Sequence, residues 1–277
     1  MFKGFDIVNK TEKNIEKILE SIYEDPEINQ KLKNFLNRNE AKIHAELDDF
    51  HLKEGVLDGD LLQKTWFPFL EESHIFLSHS HKDKRLSEVL SLLFNEVLSI
   101  NVFIDSQVWG YADDLLRKVD DKYSYQKEND TYSYSVRNRT TSNVYLILQN
   151  ALNCMIDKSE CLLFLNTKNT IKEFANVNKI DQRTSSPWIM SELQFSAMVR
   201  KREHPFANRK SLVQEGFTKK SMSTTNAVNF DISHIVYTDH LIKRDITDLL
   251  EWLMYCNSNN LKGYQALTSL YEDSYKQ

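Results

Sequence analysis

Between His74 and Asp120 the apolar positions change period twice, and the change predicts one α/β unit. Ile75, Phe76 and Leu77 form a short, continuous β-branched and aromatic run closed by the turn residues Ser78, His79, Ser80 and His81, which reads as a buried strand. Leu86, Val89, Leu90, Leu93, Phe94 and Val97 then recur at helical spacing, with a face wide enough to cover a sheet. Val102, Phe103 and Ile104 make a second strand, with Asp105 to Gly110 as its polar exit. Strand, helix and strand within about thirty residues is a parallel βαβ unit.

The flanking segments extend this pattern in both directions. Ile15, Ile18, Leu19 and Ile22 predict one helix, and Asp25-Pro26 ends it and starts another carrying Ile28, Leu32, Phe35, Leu36, Ile43 and Leu47. Residues 1–72 are therefore expected to be a helical extension, with a turn at Gly55 and Gly59, and residues 73–277 to be the main domain. Residues 121–142 are polar, tyrosine-rich and without period, which predicts a long loop. Val144, Ile147, Leu148, Ala151, Leu152 and Met155 mark the next helix, and Cys161 to Leu165 a third strand, apolar throughout as a central parallel strand is. Pro187 opens a helix capped by Ser185 or Ser186, residues 203–229 read as a basic loop, His234 to Tyr237 as a fourth strand, and Ile246, Leu249, Leu250 and Leu253 as a closing helix. Strands alternating with helices imply a doubly wound parallel sheet, flavodoxin-like in class.

Composition narrows the function classes. A net charge of -5 lacks the basic excess that general nucleic-acid binding requires, so no nucleic-acid partner is expected. No apolar run approaches the ~20 residues of a membrane span. The amino terminus lacks a secretory core and the three cysteines offer no disulfide framework, so a cytoplasmic location is expected. Six scattered glycines supply neither of the glycine-rich phosphate loops.

In such sheets ligands bind beyond the carboxyl ends of the strands. That rule gathers Ser78 to Asp83, Asp105 to Gly110 and Asn166 to Thr170 around one cleft. On the helix after Ser186, Trp188, Glu192, Phe195 and Val199 share a face, so a carboxylate interrupts an apolar stripe. Glu192 is either a solvated residue at the stripe's edge or a partly desolvated group beside an aromatic ring. The neighbouring Ser78, His79, Ser80 and His81 cannot make a nucleophilic triad by adjacency, and His79 with His81 lacks a third metal ligand, so no metal is expected. His44 and His51 beside Asp48 and Asp49 read as solvated, and Asp113-Asp114 as the acidic start of a helix.

Together, His74 to Asp83 (HIFLSHSHKD), Phe103 to Asp114 (FIDSQVWGYADD) and Ser186 to Glu192 (SPWIMSE) resemble a bacterial TIR (Toll/interleukin-1 receptor) domain of the stand-alone kind associated with anti-phage defence. The resemblance implies cleavage of NAD+ between nicotinamide and ribose, giving ADP-ribose or a cyclic or conjugated product that a downstream effector reads. NAD+ would be the substrate, with no separate cofactor. Glu192 would be the catalytic carboxylate. Phe76, Ser78, His79 and Lys82 would line the substrate from the first exit, Asp105, Trp109 and Gly110 from a flexible loop at the second, and Ser186 and Trp188 from the Glu192 helix. Trp188 would either stack on the ligand or serve the core. The family also implies assembly into a homo-oligomer on activation, and the alternative of a non-catalytic scaffold acting by homotypic contacts.

Overall fold

The computed structural model describes residues 1–9, 25–39, 47–50, 56–67, 73–104, 106–176, 179–204 and 232–276. Its centre is an all-parallel sheet of five strands flanked by helices: β1 (Lys3–Val8), β2 (Ile75–Ser78), β3 (Val102–Ile104), β6 (Cys161–Asn166) and β10 (Ile242–Asp245), in the order β10-β1-β6-β2-β3. The helices are α1 (Pro26–Asn39), α2 (Gly59–Trp66), α3 (Lys84–Leu98), α4 (Ser106–Tyr123), α5 (Tyr134–Lys158), α6 (Pro187–Met198), α7 (Ile246–Ser258) and α8 (Gly263–Tyr271). Two small antiparallel sheets accompany the central one: β4 (Tyr125–Gln126) with β5 (Thr131–Tyr132), and β7 (Lys172–Asn176) with β8 (Lys179–Thr184) and β9 (His234–Ile235). This is the α/β class expected, and among the described residues no helix is long and apolar enough to cross a membrane.

Strand alternation sorts the core into two layers. Ile75, Leu77, Val102, Ile104, Leu163 and Leu165 pack with Leu90, Phe94 and Leu98 of α3 and Trp252 of α7. Phe76, Phe103, Leu162 and Phe164 point the other way and pack with Leu115 of α4, Leu148 and Leu152 of α5, and Ile189 and Leu193 of α6. Helices therefore cover both faces of the sheet. Trp252 anchors the first layer: it is buried, meets Phe94 edge-on at 5.7 Å, and donates its indole N–H to the Ala266 carbonyl at 3.0 Å.

Four expectations are corrected. Lys3–Val8 is not part of a helical extension; it is a central strand, paired in parallel with β6 on one side and β10 on the other. The sheet thus begins in the first residues of the chain, and residue 73 does not divide it. The remainder of the expected extension is helical where it is described, and α1 packs Leu32 and Phe35 on Val89 and Leu92 of α3; the predicted helix at 11–22 lies outside the described residues. Second, the backbone after β3 enters helix α4 at Ser106 instead of forming a loop, and Ala112, Leu115 and Val119 bury its inner face. Third, the loop expected at 121–142 contains the β4–β5 hairpin and the first turns of α5. Those turns have no apolar stripe, but Asp120, buried at the end of α4, accepts from Arg137 at 3.1 Å and from Thr140, and so fastens them. Fourth, His234–Ile235 pairs antiparallel with β8, and the sheet's outer strand is the polar Ile242–Asp245. An edge strand tolerates charged residues that an interior strand does not.

Candidate functional site

The chain leaves β2 for β3 on one side and returns to β6 on the other, so the strand order reverses between β2 and β6. A crevice opens at such a reversal, beyond the carboxyl ends of the two strands. Ser78 ends β2 and Asn166 ends β6, and the register that pairs Ser78 with Phe164 sets them side by side. The loops beyond are tied together. Asp83 accepts one hydrogen bond from the Thr167 hydroxyl at 2.6 Å and one from the Asn169 amide at 2.7 Å, using both carboxylate oxygens. Two of the three exits expected around a common cleft are thereby joined directly.

Helix α6 brings Glu192 to this point. Ser186 caps the helix, accepting from the Ile189 N–H at 3.3 Å, and Pro187 follows in the first turn, where its missing N–H costs nothing. The buried face of α6 is Ile189, Glu192, Leu193 and Ser196, while Trp188, Phe195 and Val199 flank it, half-buried against the same core. Glu192 is therefore at the middle of the inward face, not at the edge of the stripe, and its relative exposure is 0%. Its Oε2 accepts a hydrogen bond of 2.6 Å from the Ser78 hydroxyl. The two residues are 114 positions apart in sequence, and the bond joins the end of β2 to α6. A hydrogen bond of this kind is worth roughly 0.5–1.5 kcal/mol net and fixes the carboxyl group's orientation.

The other expected site residues divide by position. Phe76 lies under the site, buried and stacked on Phe103 with centroids 5.3 Å apart. His79 is buried with Nδ1 3.3 Å from the Leu77 carbonyl oxygen. Lys82 is exposed on a single helical turn capped by Ser80. Trp188 meets Tyr145 of α5 at a centroid distance of 5.7 Å. Asp105 lies outside the described residues. Trp109 and Gly110 are within helix α4 by backbone, and their surroundings are not among the described features. Among the described residues no group of three or more His, Cys, Asp or Glu is placed to hold a metal ion. The basic segment after Arg202 lies largely outside the described residues, as do His44 and His51.

No family model, curated protein or solved structure matches this chain.

The functional reading of the site therefore stands on its geometry. One acidic residue escaped the sequence reading. Asp6 interrupts the apolar strand β1 and is 1% exposed, on the same sheet face as Phe164 and Ser78. It borders a cavity of about 460 Å³ whose other walls include Asn9, Asn166, Thr167, Gln182 and Lys243. The signal lies in Gly4-Phe5-Asp6-Ile7-Val8, where a carboxylate alternates with large apolar residues as in a strand.

Proposed function

We propose that this protein is a TIR-type enzyme that cleaves the bond between nicotinamide and ribose in NAD+, with Glu192 as its catalytic carboxylate. The observation that carries the reading is the 2.6 Å hydrogen bond from Ser78 to Glu192 at the carboxyl end of β2, where the strand order reverses. It unites two of the three sequence segments on which the resemblance rests, and it does so at the edge of the sheet where ligands bind.

The chemistry requires little more than one oriented carboxylate. Glycosidases that expel an alkoxide pair an acid with a nucleophile or base. Nicotinamide leaves a cationic pyridinium as a neutral molecule, so no proton need be delivered to it. The bond from the ribose anomeric carbon to the ring nitrogen breaks, the electron pair goes to the nitrogen, and positive charge develops on the ribose. Glu192 would hold the ribose hydroxyls and stabilise that charge, with Ser78 keeping the carboxylate in place. The oxygen of water or of a hydroxyl of the same molecule then bonds to the anomeric carbon and releases its proton to solvent, giving linear or cyclic ADP-ribose.

A second reading is favoured by the complete burial of Glu192. In a TIR scaffold the Ser78–Glu192 bond would lock α6 to the sheet and the outer surfaces would mediate homotypic assembly. The catalytic reading requires the cleft to open before substrate reaches the carboxylate, which accords with activation on assembly. Incubation of the protein with NAD+, dilute and after crosslinked or crowded assembly, distinguishes the two. Nicotinamide with ADP-ribose or its cyclic form is the expected product of the assembled protein. Intact NAD+ under every assembling condition would leave the scaffold reading.

A further inference from the structure

The cavity over Asp6 is lined by neither Ser78 nor Glu192. Phe164 is the register partner of Ser78 on β2 and of Asp6 on β1, so Ser78 and Asp6 stand on the same sheet face two strands apart, about 10 Å at the usual strand spacing. Asp6 is also opposite Lys243 of β10. Burial pushes the Asp6 carboxyl above its ordinary range, and the Asn166 amide and Lys243 act against that shift. Even so, neither Asp6 oxygen receives a hydrogen bond in acceptable geometry among the described residues, and the side-chain oxygen of Asn9 is likewise unsatisfied. Buried acceptors of this kind cost stability unless something completes them.

The lining says what would complete them. Asp6, Asn9, Asn166, Thr167 and Gln182 offer carboxylate, amide and hydroxyl groups, which suit neighbouring hydroxyls. The exposed Lys168 and Lys243 stand at the rim with Glu173, and a volume of about 460 Å³ is within the usual range for small-molecule sites. A carboxylate near the carboxyl end of a parallel strand that accepts from both hydroxyls of a ribose is an established solution in α/β proteins.

We infer that this cavity binds a ribosyl phosphate, with Asp6 receiving the vicinal diol and Lys168 and Lys243 within reach of the phosphate. The site stands on the Asp6 cavity alone and does not depend on cleavage by Glu192. Its ligand is either a separate nucleotide or the second ribose of a dinucleotide whose first ribose is held at Glu192.

The test is calorimetric titration of the full chain carrying Glu192→Gln, so that turnover does not intervene, with adenosine monophosphate and its 2′,3′-dideoxy analogue. Adenosine monophosphate is expected to bind, and the dideoxy analogue to bind at least tenfold more weakly. Adding Asp6→Asn is expected to bring both to the same weak level, with the thermal midpoint unchanged or raised. Absence of adenosine monophosphate binding at millimolar concentration, or equal binding with and without Asp6→Asn, would overturn the inference. Displacement of bound adenosine monophosphate by NAD+ identifies the ligand as half of a dinucleotide; binding that persists beside saturating NAD+ identifies a separate nucleotide.

Discussion

Two buried carboxyl groups, Asp6 on the sheet and Glu192 on the helix above it, carry the residue-scale account, and their surroundings predict opposite responses to substitution. Ser78 donates to Glu192 at 2.6 Å, so Ser78→Ala removes the bond and leaves the carboxylate buried beside a methyl group. Denaturant unfolding should register a loss of about 1–3 kcal/mol. Neither Asp6 oxygen accepts a hydrogen bond in good geometry among the described residues, and Asp6→Asn replaces a buried acid with a neutral amide of the same shape. Its folded pKa is raised, so the charged form is disfavoured in the fold. The wild-type contribution is therefore most favourable below the unfolded carboxylate pKa and is lost as pH rises through the raised folded value. Thermal midpoints of Asp6→Asn and wild type should coincide in acid and separate towards neutral pH, with the variant higher. A variant that is less stable at neutral pH would mean that Asp6 holds the sheet together. Glu192 was legible as an anomaly in the sequence because a carboxylate fell among Trp188, Phe195 and Val199. Its complete burial was not legible, because the side of α6 that turns inward is decided by what packs against it, chiefly α5 together with the Ser78 bond, and not by the helix's own pattern.

At the scale of elements, periodic stretches were readable and supported ones were not. Ile75–Ser78, Lys84–Leu98, Val102–Ile104 and Cys161–Asn166 all appear where their apolar spacing predicts, since each buries its own stripe. The first turns of α5 and the strand β10 carry few apolar residues and exist through their neighbours: Asp120 holds the one, and β1 pairs with the other. Helix α6 is held at both ends in a comparable way. Ser186 caps its start, and towards its other end the Ser196 hydroxyl donates to the Leu193 carbonyl, leaving its oxygen to accept from His240 Nε2–H at 2.7 Å. Burial, with the nearby Lys201 adding to it, lowers the His240 pKa to about 4. A depressed imidazole pKa means that the unfolded chain takes up the proton first. The stabilising contribution of neutral His240 is thus complete above about pH 6.5 and declines as pH falls towards 4. Replacement by Asn should flatten the stability profile in that window, and an unchanged slope would remove His240 as its cause.

For the whole molecule, the position of β1 decides what counts as a folding unit. The sequence pattern sets the main domain at residues 73–277 and leaves Lys3–Val8 in a helical extension. In the structure β1 lies between β6 and β10, and Phe5 and Ile7 are buried in the layer formed with Trp252. A fragment of residues 73–277 would leave β6 with an unpaired edge and β10 without a partner, and it should show no cooperative thermal transition. A cooperative transition near that of the full chain would contradict this assignment of the core. The proposed activity is equally a property of the assembled fold, since β2 and α6 come from separate parts of the chain and meet at one hydrogen bond. Its most direct test compares nicotinamide release by the assembled wild-type protein with that of Glu192→Gln, after matching thermal midpoints and NAD+ affinities. A loss of about 10²- to 10³-fold or more in turnover, with NAD+ still bound, is the predicted result. Turnover within a few-fold of wild type would contradict the assignment of Glu192.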